Sequence, residues 1–247
     1  MSLAVKAILD IDELVFSPPD LGGVLYLPGL PGGSNKIYDR SPYGSAGTIT
    51  GATWKRLPSG LWYLHHDGTD DRIDIDGARS DLATTTAGTW QVWVNPDDNS
   101  KAMSFIAFGD TDANSYIMLW ELNGSDGKVR GQVKIADVNQ WILQSDDALL
   151  SNGVWSNLAL RQDGTSPVLY HNGVAVAQTF VVSTDKTKWF NDIAGLDNGY
   201  LGRLSKNSGD YNYVDGKIAL PHIHSVDKGA DHIKDTFNRE RHLFGVW

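Results

Sequence analysis

The chain has 247 residues, a net charge of −9 and no cysteine, which excludes disulfides and thiolate metal sites. No lysine- or arginine-rich run marks a duplex nucleic-acid partner, and no stretch approaches the ~20 apolar residues of a membrane span. Only Glu13, Glu121 and Glu240 are glutamates among the 30 acidic residues; because Asp favours turns and Glu favours helices, the skew points to a loop-rich β protein.

Residues 1–21 read as an N-terminal arm or short helix, stopped by Pro18-Pro19. Lys6, Asp10, Asp12 and Glu13 interrupt its apolar residues, so no signal peptide is expected. Residues 22–247 read as one β domain, a length within the ~200–250 residues common for sandwiches. Alternating segments at Trp62–His66, Arg72–Asp76, Thr89–Asn95, Ser115–Leu122, Lys128–Ala136, Val154–Gln162, Val168–His171 and Val174–Phe180 predict strands. Turn dipeptides separate them: Asp67-Gly68, Asn123-Gly124, Asp126-Gly127, Asp163-Gly164, Asn172-Gly173 and Asp215-Gly216. Asn172-Gly173 is the clearest hairpin, since both residues tolerate the positive φ of a two-residue turn. Strands at this spacing without intervening helices indicate a sandwich or barrel. The end differs: Ile233, Phe237 and Phe244 fall near helical spacing over 231–244, with Asp231 placed to cap the start and Gly245 to end it.

Several groups could carry chemistry. On Thr89–Asn95, alternation sets Trp90, Val92 and Val94 toward a core and Gln91, Trp93 and Asn95 on the opposite face. If that face is open, Trp93 offers a sugar platform flanked by amides that bond hydroxyls; otherwise Trp93 packs under a loop or strand. Asp67, Asp70 and Asp71 concentrate hard oxygen donors suited to calcium, or form a solvated turn. His222 and His224 share a strand face, as a metal pair or as polar strand residues, whereas His65 and His66 point to opposite faces. A retaining glycosidase needs two carboxyls about 5–5.5 Å apart. Glu121 has no acidic partner at Leu119 or Asn123; Asp74 and Asp76 have the spacing but read as the polar face of a half-buried strand. No serine elbow, zinc helix or phosphate loop occurs.

Several stretches together resemble laminin-G-like domains of the concanavalin A-like lectin/glucanase superfamily. They are Tyr38-Asp39-Arg40-Ser41-Pro42-Tyr43-Gly44, Gly51-Ala52-Thr53-Trp54, His66 to Ile73, Thr86 to Pro96, Trp155 to Leu160, Val168 to Val174, Tyr200 to Arg203 and Gly216 to Ile223. The resemblance covers roughly residues 24–244 and implies an all-β, two-sheet antiparallel jelly-roll sandwich, closed here by a short C-terminal helix. It also implies, commonly, a bound calcium and the binding of glycans or proteins; it does not imply catalysis. Where the family carries an acidic pair, this chain reads Ile218-Ala219-Leu220-Pro221, which puts a calcium role there in doubt. The opening style and residues 237–246 are similar to phage or prophage tail and structural components. The expectation is a non-catalytic, carbohydrate-binding module on a phage-like or extracellular particle, with a cell-surface glycan as partner. The alternative is a structural protein that forms homo-oligomers or binds other virion proteins; a glycoside hydrolase or lyase ranks last.

Overall fold

The computed structural model describes residues 23–29, 31, 35–121 and 127–247; the arm expected over 1–21 lies outside them. The strands are β1 (Gly23–Tyr26), β2 (Lys36–Ile37), β3 (Gly47–Thr50), β4 (Thr53–Arg56), β5 (Trp62–Asp67), β6 (Arg72–Asp74), β7 (Gly88–Pro96), β8 (Met103–Gly109), β9 (Tyr116–Glu121), β10 (Val129–Ile135), β11 (Val138–Ser145), β12 (Ser156–Gln162), β13 (Pro167–His171), β14 (Val174–Ala175), β15 (Gln178–Ser183), β16 (Asn198–Leu201), β17 (Leu204–Lys206), β18 (Gly209–Tyr211) and β19 (Asp215–His224). They form two large antiparallel sheets. One runs β14-β13-β12-β7-β19-β5-β4 with β1 also paired to β19, and the other runs β15-β11-β10-β9-β8-β16-β6-β3-β2; β17–β18 is a separate hairpin. This is the expected sandwich.

Alternation builds the core. Trp90, Val92 and Val94 of β7, Leu158 and Leu160 of β12, and Ile218 and Ile223 of β19 meet Phe108, Ile117, Leu119, Val133 and Trp141 of the second sheet in one buried cluster. Trp90 is fully buried, with its ring 5.4 Å from Trp189 and 5.8 Å from Phe108. The hairpin at Asn172-Gly173 forms as expected, with φ of 50° and 77° between β13 and β14. Gly173 is required there twice over, since a Cβ would also meet the Phe237 side chain at 3.0 Å.

The C-terminal helix spans Gly229–Glu240 and tightens into a 3₁₀ turn, Arg241–Phe244, ended by Gly245 at φ 70°. Asp231 is not the cap: the N-cap position is Lys228, which makes no side-chain cap bond. Asp231 lies in the first turn, and Asp227 Oδ1 accepts the Gly229 N–H at 2.8 Å. Asp227 is itself fixed by two hydrogen bonds from Arg161 at 2.5 and 2.6 Å.

Candidate functional site

The face expected to be open is closed. Gln91, Trp93 and Asn95 do lie together on the outer face of β7, but all three are buried, Trp93 completely. The C-terminal helix lies over them. Trp93 stacks on Phe244 with centroids 4.0 Å apart and on Phe237 at 5.7 Å, and its Nε1–H donates to Glu240 Oε2 at 2.7 Å. Gln91 Nε2 donates to Asn157 Oδ1 at 2.8 Å and to the Ile233 carbonyl at 3.1 Å. Asn95 Oδ1 accepts from Lys217 Nζ at 3.1 Å. The platform is a helix-docking surface, and no sugar reaches it. Ala219 and Leu220, in place of the family acidic pair, belong to the same apolar cluster as Trp93, Phe237 and Phe244; carboxylates there would be buried under the helix at several kcal/mol each.

The opposite sheet carries a cleft on its outer face whose floor residues Tyr116, Met118, Trp120 and Gln132 are largely buried, whereas Arg130, Lys134, Lys206 and Tyr211 at its rim are more exposed. On β9, Ile117 and Leu119 turn inward, so Tyr116, Met118 and Trp120 turn outward. On β10, Val129 and Val133 face the core, and Arg130, Gln132 and Lys134 face out. Register aligns the two sets: Tyr116 opposite Lys134, Met118 opposite Gln132, Trp120 opposite Arg130. Asn139 and Ile142 extend the rows on β11. The β17–β18 hairpin supplies Leu204, Lys206 and Tyr211 as a wall, and the result is an open cleft of about 370 Å³. That lies within the ~300–1,000 Å³ of small-ligand sites. From Tyr116 to Trp120 the floor runs roughly 13 Å, at ~3.3 Å per residue.

The polar groups of the cleft are ordered by one another. Gln132 Nε2 donates to the Tyr116 hydroxyl at 2.9 Å and to Asn139 Oδ1 at 3.0 Å. Arg130 Nε donates to Gln144 Oε1 at 2.8 Å, and its guanidinium lies 5.6 Å from the Trp120 ring centre. Burial, with the Asp137 charge behind it, pushes the Tyr116 hydroxyl up to about 12, so it stays protonated. The hairpin tip is tied down by Asn207 N–H to the Asp110 carbonyl at 2.9 Å and Ser208 N–H to the Thr111 carbonyl at 2.7 Å. The predicted strands over 115–122 and 128–136 already contained these alternating rows; facing them toward a cleft required the sheet order and the distant hairpin.

Asp67, Asp70 and Asp71 do come together, with ligand oxygens within 4.8 Å of one another. Burial raises the Asp71 carboxyl above its ordinary value, opposed by the Asp67 amide that it accepts at 3.0 Å, and the Asp67 and Asp70 charges raise it further. Three converging hard oxygens with mutual repulsion fit a calcium-type cation. The neighbour of this turn on β19 is Asp215, opposite Asp67, so the missing acidic pair does not touch it. A second group, Asp110, Asp112 and Asp197, has the same convergence.

The remaining expectations resolve as structure. Asp76 sits in a 3₁₀ turn rather than on the strand; its Oδ1 accepts the Gly199 N–H at 2.6 Å, and Asp74 Oδ1 accepts the Asp76 N–H at 3.0 Å. His222 Nε2 bonds Glu240 Oε1 at 2.8 Å and stacks on Tyr26 at 4.4 Å. His65 bonds Asp97 at 2.7 Å, whereas burial pushes His66 down to about 4. Glu121 faces the interior, and neither oxygen has a hydrogen bond among the described residues; burial, then the Asp98 charge, pushes it up to about 8.

A sequence model of the concanavalin A-like lectin/glucanases superfamily, laminin G type, matches residues 67–234, more than half of the chain. The protein belongs to the concanavalin A-like lectin/glucanase superfamily. No curated protein sequence matches it. Among solved structures, this lectin-like chain is similar to the CBM40 of Ruminococcus gnavus IT-sialidase bound to alpha2,3 sialyllactose, at 17% identity and a TM-score of 0.61, covering 75% of this chain and 98% of that one. It is similar also to the leech intramolecular trans-sialidase, at 18% identity and a TM-score of 0.58, over 76% of this chain and 27% of that one. The NanB sialidase from Streptococcus pneumoniae matches at 15% identity and a TM-score of 0.57, over 69% of this chain and 27% of that one. At such identities the likeness is one of fold.

Proposed function

We propose that this protein is a non-catalytic carbohydrate-binding module and that the β9–β10–β11 cleft is its site. The observation that carries this is an open groove that joins the exposed Tyr211 ring with fixed amide and cationic groups over a floor of Tyr116 and Trp120 edges. Aromatic faces suit the apolar side of a sugar ring, and amides suit its hydroxyls. Among the described residues the cleft lining contains no Asp or Glu, whereas glycoside hydrolysis of the usual kind needs two carboxyls. The similar module from the R. gnavus sialidase is bound to sialyllactose, which supports a glycan ligand; the similar proteins named above are sialidases and a sialidase module, so they support the carbohydrate part of the expectation rather than a phage particle. In the same reading Asp67, Asp70 and Asp71 hold one calcium ion, which would neutralise the turn after β5.

The test is a glycan array on the purified chain and its Tyr211→Ala variant. Tyr211 is 40% exposed, so the variant keeps its fold, with stability within about 0.5 kcal/mol of the parent, and loses glycan signal. Undiminished binding in Tyr211→Ala removes the cleft as the site, and a parent that binds no glycan removes the carbohydrate reading.

A further inference from the structure

The charge of the cleft is opposite to that of the chain. The protein carries −9 overall, yet among the described residues the groove lining holds Arg130, Lys134 and Lys206 and no carboxylate. Arg130 is already engaged by Gln144 and Trp120. The lysines are not comparably engaged. Lys206 makes no ion pair among the described residues; its ammonium lies 4.4 Å from the Tyr211 ring centre and 5.5 Å from that of Tyr116. Lys134 has Asp137 at 3.9 Å, but that side chain is 78% exposed, and such a pair contributes little. The two ammonium groups arrive from different elements, β10 and β17, onto the same end of the cleft. Their proximity is felt: burial, and then the Lys134 charge, lower the Lys206 ammonium from its ordinary value, with Asp137 opposing. The exposed Asp137 is the one counter-charge near them among the described residues and offsets their repulsion only in part; an anion placed between the two ammonium groups would remove it.

We propose that Lys134 and Lys206 form an anion seat at the Tyr116 end of the cleft, so that the glycan recognised there carries a carboxylate or a sulfate ester. The proposal rests on the carbohydrate reading of the same cleft. Tyr211, exposed at the rim, places an aromatic ring beside the seat for the sugar that bears the anion. Gln132, whose amide N–H groups are committed to Tyr116 and Asn139, keeps its carbonyl oxygen as an acceptor for a neighbouring hydroxyl.

The test is titration of the full chain with lactose, 3′-sialyllactose and 3′-sulfolactose, repeated on an array of matched neutral, carboxylated and sulfated glycans. An acidic glycan should bind about tenfold more tightly than its neutral match, as one well-placed charge near a protein surface allows. That preference should shrink as salt rises from about 20 to about 300 mM. Lys134→Gln/Lys206→Gln should lower the acidic-to-neutral ratio to near one while the melting temperature holds. The relative affinity of the carboxylated and sulfated probes identifies which anion the seat takes. Neutral glycans bound as tightly as acidic ones would overturn the seat and leave the carbohydrate reading standing. An acidic preference surviving in the double variant would place the seat elsewhere, and no binding to any probe would overturn both.

Discussion

Replacing Trp93 by alanine tests whether the outer face of β7 is a binding surface or a second core. Trp93 is fully buried, sandwiched against Phe244 and Phe237 and bonded to Glu240. Truncating a buried Trp costs about 3–5 kcal/mol through lost transfer energy and the cavity left behind. The substitution also leaves Glu240 Oε2 buried without its donor, which adds about 1–3 kcal/mol. Because Glu240 also takes His222, the loss should loosen the whole C-terminal helix. At about 2–4 °C per kcal/mol for a chain of this size, Trp93→Ala should melt at least about 10 °C below the parent, followed by far-ultraviolet circular dichroism. Trp93→Phe separates the two contributions: it keeps most of the stacking and loses only the Nε1–H donor, so it should lose about 1–3 kcal/mol. A Trp93→Ala protein as stable as the parent would mean that the helix does not hold this face, and the argument for the opposite cleft would lose its contrast.

Three further outcomes can be measured. Glu121 has its folded pKa raised to about 8, so between the unfolded carboxyl range and that value the folded state keeps a proton that the unfolded state has released. The Glu121 contribution to stability should therefore fall as pH rises from about 4.5 to about 8, opposed below about 6.5 by that of His66, and Glu121→Gln should make the pH slope of stability in urea titrations more positive; an unchanged slope refutes the buried carboxyl as a source. His66 has its folded pKa lowered to about 4, so the unfolded state binds the extra proton and stability should rise with pH between about 4 and 6.5; its ring resonances should not titrate above pH 5. Excess calcium over excess chelator should raise the melting temperature, by about 2.7 kcal/mol of stabilisation at one hundred times the dissociation constant, and Asp70→Asn should abolish the gain while Asp112→Asn leaves it intact.

Local pattern was enough for much of the architecture. Asn172-Gly173 made its hairpin because the positive φ it needs is a property of those two residues. Trp90, Val92 and Val94 went to the core because a pleated strand alternates whatever surrounds it, and Ile233 and Phe237 turned one face inward because a helix repeats every 3.6 residues, with Phe244 following in the 3₁₀ turn. Asp67, Asp70 and Asp71 converged because one short turn carries them. What alternation cannot state is which of two faces is covered. Trp93 with its amides has the composition of a sugar platform, yet a helix more than a hundred residues downstream lies on it, and Ala219 and Leu220 join the same apolar cluster. The rows Tyr116, Met118, Trp120 and Arg130, Gln132, Lys134 show the same mixture of aromatic and polar residues, but they became a cleft because, among the described residues, no helix crosses them and the β17–β18 hairpin brings Lys206 and Tyr211 to their edge. Facing and periodicity are short-range properties of the backbone; exposure and the meeting of two lysines are set by contacts between distant segments, and those exist only in the folded chain.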